Sequence, residues 1–202
     1  MARSYVVIGY DGRFFQRDRV MAQSATIFKA ELQIADMDRH YYADHSVVLA
    51  RHPSETDERM MVRLVAFVLH ASEQLEFTRG LCADDEPELW VKGLTGEIDT
   101  WIEVGLPDER RIRRACHRAK QVFVYAYGGH AVQLWWQKQA RELARFDNLQ
   151  VIELSPQASG ELAGLVARTM RLQCSLQDGQ LWIGDGQTTV LVEPVCLSGD
   201  CR

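Results

Sequence analysis

Apolar and polar positions alternate from Ala25 to Ile34 and again from about Tyr41 to Arg51, the two-residue period of half-buried strands, and the turn-like ADMDR between them predicts a hairpin. The spacing then becomes helical. In HPSETDERMMVRLVAFVLHA, Met61, Leu64, Val65 and Val68 form an apolar stripe, Pro53 precedes it, Ser54 is placed to cap it, and Asp57 follows three residues later. Three short extended runs come next, LEFTRG, ELWVKG and IDTWIEVG, and only GLTG separates the last two, as in a hairpin. Beyond Pro107 an amphipathic helix turns Ile112, Ala115, Cys116 and Ala119 to one side, and VFVYAY reads as a strand. AVQLWWQKQARELARF predicts a helix burying Val132, Trp135, Trp136 and Leu143; LQVIEL predicts a strand and ELAGLVARTM a short helix. The chain closes in a β meander marked by Asp178-Gly179 and Asp185-Gly186. Helix, three strands, helix, strand is neither a βαβ alternation nor an all-β pattern, so it implies an α+β domain with a mixed β-sheet flanked by helices.

The stretch IDTWIEV carries the densest chemistry. Strand alternation puts Ile98, Thr100, Ile102 and Val104 on one side and Asp99, Trp101 and Glu103 on the other. A two-residue loop at GLTG sets Glu86 opposite Glu103, Glu88 opposite Trp101 and Trp90 opposite Asp99. Facing carboxylates repel, so Glu86 against Glu103 calls for a cation, a proton or a bend. Asp99 and Glu103 are roughly 13 Å apart along a flat strand, too far to share an ion without a bulge, so a metal pair would cross the hairpin. The bland alternative is a solvated polar face. Glu58 lies at the edge of the first helix's buried stripe, and Glu55 is placed to favour that helix's N-terminus through the capping box and macrodipole.

Composition narrows the function classes. With 202 residues and 47% apolar positions the chain can bury a core, and no apolar run approaches the roughly 20 residues that span a bilayer, which argues against a membrane role. A net charge of -5 excludes bulk electrostatic coating of nucleic acid but leaves room for a local basic face. PDERRIRRACHRAKQ supplies one, with Arg110, Arg111, Arg113, Arg114, Arg118 and Lys120 around its apolar side; arginine forks match phosphate oxygens, although charged helix faces are usually just solvated. Five cysteines without a C-x-x-C pair point to a reducing cytoplasm and away from structural zinc. Nucleophilic catalysis has little support, since Cys116 sits on an apolar face and no nucleophile or glycine-rich phosphate motif occurs. Residues 1–20 lack the features of a signal peptide and read as an extension, with one domain over 21–202.

The combination of ARHPSETDERMMVRL, FTRGLCADDEPELW and IDTWIEVGLPDERRIRRA resembles the YaeQ family of bacterial proteins, from Met21 through most of the chain. The resemblance implies a variation on the PD-(D/E)XK (restriction-endonuclease-like) nuclease core, in which helix, three antiparallel strands, helix and strand build a magnesium-binding acidic site. It implies Glu103 as the third-strand acid, Glu86 or Glu88 near the second-strand position with Asp99 as a substitute, and Glu55 or Glu58 as the helix contribution. Where that pattern carries a lysine two residues after the acid, this chain has Gly105. Lys92, Lys120 or an arginine of the next helix, such as Arg111 or Arg114, would have to supply the charge, and arginine cannot serve as a base. Two expectations follow: a Mg2+-dependent phosphodiesterase acting on nucleic acid, or a nuclease-like fold without catalysis that binds nucleic acid or protein.

Overall fold

The computed structural model describes residues 25–78 and 85–199; the N-terminal extension expected at 1–20, Cys82 and Cys201 lie outside them. The elements run β1 (Thr26–Asp36), β2 (Tyr41–Arg51), α1 (Asp57–Leu69), β3 (Leu75–Phe77), β4 (Leu89–Lys92), β5 (Ile98–Val104), α2 (Glu109–Arg118), β6 (Ala119–Ala126), α3 (His130–Leu143), β7 (Leu149–Glu153), α4 (Pro156–Ala163), β8 (Thr169–Gln177), β9 (Gln180–Gly184), β10 (Thr189–Val192) and β11 (Val195–Ser198). They form not one sheet but two, a five-stranded sheet ordered β10-β9-β8-β1-β2 and a six-stranded sheet ordered β11-β7-β6-β5-β4-β3. The first is closed by a parallel pairing of β1 with β8, which no local pattern announces. The terminal meander is split accordingly: β8, β9 and β10 stay in the first sheet, whereas β11 pairs with β7 in the second.

Helix α1 occupies the core that joins the sheets. Leu32 and Ile34 of β1 and Leu172 and Cys174 of β8 share one apolar cluster with Leu89, Ile102 and Phe123 of the second sheet and with the α1 side chains from Met60 to Phe67. Every α1 residue from Met60 to Val68 is buried, so the expected single stripe is an apolar surface on all sides, as a helix enclosed by two layers requires. Thr56, not Ser54, caps it by accepting a bond from the Arg59 amide at 3.1 Å. The other face of the second sheet is covered by α2 and α3, whose Ile112, Ala115, Val132 and Leu143 pack on Trp101, Val122 and Val124. Cys116 belongs to this second core, and burial pushes its thiol up to about 11, in keeping with an inert residue.

Two local expectations are corrected. The short helix read at ELAGLVARTM begins earlier, as α4: Ser155 accepts from the Ala158 amide and Pro156 takes the first turn, while Thr169 and Met170 already belong to β8. Cys196 on β11 is disulfide-bonded, so cysteine usage no longer argues for a reducing compartment. The turn at Asp178-Gly179 is as expected, with both residues at positive φ (53° and 74°) closing a two-residue hairpin between Gln177 and Gln180. No helix among the described residues is long and apolar enough to cross a membrane.

Candidate functional site

Strands β3, β4 and β5 are antiparallel neighbours, β6 lies parallel to β5, and the acidic residues cluster where β4 begins and β5 ends. The register is Leu89↔Ile102, Trp90↔Trp101 and Val91↔Thr100, two residues from the one expected. Two features cause the offset: the turn spans residues 93–97, and a bulge between Val91 and Lys92 leaves Asp99 without a partner. The bulge also reverses the alternation at the start of β5, so Ile98 packs in the same core as Trp101 instead of with Ile102. As a result Glu88, not Glu86, follows Leu89 towards Glu103, and its amide donates to the Ile102 carbonyl at 2.9 Å.

Three carboxylates are buried here, Glu55 at 6%, Glu88 at 2% and Glu103 at 3% exposure. Three guanidiniums meet them. Arg59 and Arg63, one turn apart on α1, reach the second sheet from the core side. Arg63 Nη1 lies 2.8 and 2.9 Å from the two oxygens of Glu55, and Arg63 Nε is 3.3 Å from Glu88 Oε2. Arg59 Nη2 donates to Glu88 Oε1, its Nη1 donates to the Val104 carbonyl at 2.6 Å, and its Nε is 3.8 Å from Glu55 Oε1. From the α2 side, Arg111 Nε and Trp101 Nε1 each donate to Glu103 Oε1 at 2.8 Å, while Arg111 Nη2 holds the Glu86 carbonyl at 2.7 Å. Glu55 therefore does not serve the α1 N-terminus; it is the anionic partner of a core arginine.

The charge balance is close but the geometry is not saturated. Glu88 Oε2 and Arg63 Nε face each other without forming a hydrogen bond, and neither has another bonding partner. Burial raises the pKa of the Glu103 carboxyl above its ordinary value, and the nearby Glu88 charge adds to the shift; Arg111 and the Trp101 indole oppose it without cancelling it. One more positive charge beside Glu88 and Glu103 would suit both carboxylates.

Gly105 closes β5 at φ 99°, its amide bound to the Tyr125 carbonyl at 2.9 Å. A Cβ there would stand 3.0 Å from Arg59 Nη1, so the guanidinium of Arg59 lies in the space next to the residue where the nuclease pattern carries lysine. Gly105→Lys is accordingly expected to lose about 1–3 kcal/mol of unfolding free energy in urea titrations, because the left-handed backbone disfavours any side chain and Arg59 blocks this one. A variant as stable as the parent would refute this reading of Gly105.

The remaining expected site residues lie apart. Asp99 pairs with Lys120 at 2.5 Å, and that contact raises the lysine pKa. Glu58 accepts from Ser159 Oγ of α4 at 2.6 Å, and Arg114 pairs with Asp85 at 2.9 Å on the surface. Lys92 lies over the Trp90 ring, 3.4 Å from its centre. Of the six carboxylates expected around one ion, the structure links Glu55 to Glu88 through Arg59 and Arg63 and sets Glu88 near Glu103. Asp99 and Lys120 are drawn off by the bulge, Glu58 by α4, and Glu86 supplies its main chain to Arg111. Among the described residues no three His, Cys, Asp or Glu side chains are grouped closely enough to hold an ion by themselves. A concavity of about 540 Å3 lies elsewhere, on the polar face of the five-stranded sheet around Glu31, Asp44 and Arg171. It is open and its one ion pair is exposed, so it holds none of the buried charge that marks the carboxylate cluster.

Comparison with known proteins decides the family. The profile described as YaeQ protein matches residues 21–194. The chain belongs to the YaeQ family. It is 48% identical over 172 residues to "Uncharacterized protein YaeQ" of Escherichia coli (strain K12), covering 85% of this chain and 95% of that one, and 47% identical over 173 residues to its counterpart in Salmonella typhi, covering 86% and 96%. Two crystal structures of YaeQ proteins share the fold. The one from Xanthomonas axonopodis pv. citri superposes with a TM-score of 0.85 at 50% identity over 87% of this chain and 99% of that one. The one from Pseudomonas syringae gives 0.84 at 34% identity over 87% and 97%.

Proposed function

We propose that this YaeQ protein is a metal-dependent phosphodiesterase of the PD-(D/E)XK nuclease type acting on nucleic acid, with its centre at Glu55, Glu88, Glu103 and Arg59. The observation that carries the reading is the burial of three carboxylates, from the approach to α1, the approach to β4 and the end of β5, at one end of three antiparallel strands. Buried ionised groups are costly even when paired and recur at functional sites, and α1, β3–β5, α2 and β6 succeed one another in the order of that nuclease pattern. Glu88 and Glu103 are the residues that would hold Mg2+: both offer hard oxygen donors, Glu88 Oε2 lacks a hydrogen-bond partner, and magnesium needs only one or two carboxylates beside its waters. Bound there, the ion would supply an activated water and neutralise charge on phosphorus. The chain's own side chains do the rest. Trp101 and Arg111 fix the orientation of Glu103, and the partly exposed forks of Arg59 and Arg111 suit phosphate oxygens. Arg59 takes the charge-stabilising part of the absent lysine but not that of a base. End-labelled single- and double-stranded DNA and RNA incubated with Mg2+ or Mn2+ test this directly; products should appear with metal and vanish with chelator. Intact substrates throughout would sink it.

One observation favours a second reading, a nuclease-like fold that binds nucleic acid without cutting it: the three buried carboxylates are matched by Arg59, Arg63 and Arg111, and α2 turns Arg110, Arg113, Arg114 and Arg118 to the surface. Under this reading fluorescence anisotropy should show binding that weakens about tenfold or more between ~50 and ~200 mM salt, the slope dropping by about one in Arg114→Glu, with no product at any metal concentration. Binding that ignores salt would exclude the α2 surface.

A further inference from the structure

We infer that Arg59 is an internal cation that keeps the metal position closed: its guanidinium and a divalent ion compete for Glu88, so the resting protein holds the carboxylates in a neutralised, ion-free arrangement. The inference rests on the metal-dependent reading above and adds to it a residue that sets occupancy.

Four contacts converge on this one head group. Arg59 binds Glu88 Oε1, lies 3.8 Å from Glu55 Oε1, donates to the Val104 carbonyl at 2.6 Å, and sits close enough to the half-buried Tyr127 hydroxyl to oppose the rise in its pKa that burial causes. Its guanidinium thus bridges α1, the approach to β4, the end of β5 and the segment after β6. Carboxylate and carbonyl oxygens are also the ligands a hard cation takes, so the same acceptors suit either occupant. The two occupants exclude each other electrostatically. A guanidinium and a dication a few ångströms apart in a buried setting repel, whereas either one alone relieves Glu88. Arg59 can also leave. Its side chain is 15% exposed, against 4% for Arg63, which is held to both oxygens of Glu55, so Arg59 is the member of the α1 pair with a path outwards. Once displaced, it remains at the mouth of the site, where a phosphodiester would meet it.

The test measures metal binding by calorimetry with Mn2+ alone, in the full chain at fixed pH and ionic strength. Arg59→Gln and Arg59→Ala should bind Mn2+ at least tenfold more tightly than the parent, although Arg59 would favour substrate binding. Adding guanidinium ion at tens of millimolar to R59A should weaken Mn2+ binding again, beyond the effect of equal NaCl, by refilling the vacated space. Unchanged or weaker binding in both variants, or no guanidinium effect beyond NaCl, overturns the inference while leaving the metal-dependent reading intact. Failure of parent, R59Q and R59A alike to bind Mn2+ at millimolar concentration overturns both. If the variants do not fold, the wild-type protein decides: the NMR signal of the Arg59 Nε–H, assigned in 15N-labelled protein, should shift as Mn2+ is replaced by diamagnetic Mg2+ in the titration, and a stationary signal at saturation refutes displacement.

Discussion

Arg63→Ala is expected to lower the unfolding free energy by about 3–5 kcal/mol, the usual cost of removing one partner from a buried ion pair. Arg63 is 3% exposed and holds both oxygens of Glu55, itself 6% exposed. Without it, the cation left beside Glu55 is Arg59, with Nε at 3.8 Å, and Glu88 Oε2 loses the Arg63 Nε that faces it at 3.3 Å. A cavity beside the Phe77 ring, over which the guanidinium lies at 5.6 Å, adds to the loss. Urea titration at neutral pH gives the number. The double variant Arg63→Met, Glu55→Gln should recover most of it, because removing both charges leaves neither stranded. A loss below about 1 kcal/mol for R63A would show that this network does not hold α1 to the second sheet.

Glu103→Gln should reduce metal-dependent cleavage at least a hundredfold, about 2.7 kcal/mol of transition-state stabilisation, without a matching loss of fold. The substituted amide keeps an oxygen for the Trp101 and Arg111 donors while withdrawing the charge. The pH dependence separates the two effects. Burial raises the Glu103 pKa above its ordinary value of 4.5, so the folded state holds that proton more tightly than the unfolded chain. The stabilisation belonging to the protonated form is fully present below the unfolded pKa and is lost as pH rises through the folded one. Relative to wild type, E103Q should therefore gain stability as pH is raised from about 4.5, levelling off once Glu103 is ionised in the folded protein. Urea midpoints across this range check it: a wild-type-to-variant difference that stays flat with pH would contradict the raised pKa, and unchanged cleavage would remove Glu103 from the chemistry.

Local periodicity carried the order of elements from β1 to β7, because each strand and helix there buries a face that its own residues specify. Register and neighbours were harder. GLTG looks like a minimal hairpin loop, but Gly93 N bonds Glu97 O across a longer turn and Asp99 bulges, so the pairing shifted from Glu86 to Glu88. That Glu103 shares a face with Trp101 was legible, because the two are alternate residues of one strand, and the Trp101 indole does donate to it. Arg59 and Arg63 were not picked out, although a signal existed: Glu55, Arg59 and Arg63 recur every four residues, and Arg63 interrupts MMVRLVAFVL, where a charge in a helix apolar on all sides must meet a counter-charge. The two-sheet arrangement had no comparable signal, since β1 and β8 are far apart in sequence and alternate independently.

That parallel pairing of β1 with β8 has a consequence for how the chain is made. Partners such as Glu31 and Arg171 are 140 residues apart, and at the usual pace of synthesis β8 leaves the ribosome roughly ten to thirty seconds after β1. Throughout that interval the β1–β2 hairpin presents one whole edge of β1, including Ala30, Leu32 and Ile34, to whatever strand comes first. Nascent chains stalled before Thr169 are thus the species most exposed to mispairing, and the last sixth of the polypeptide acts as the seal on its first strands.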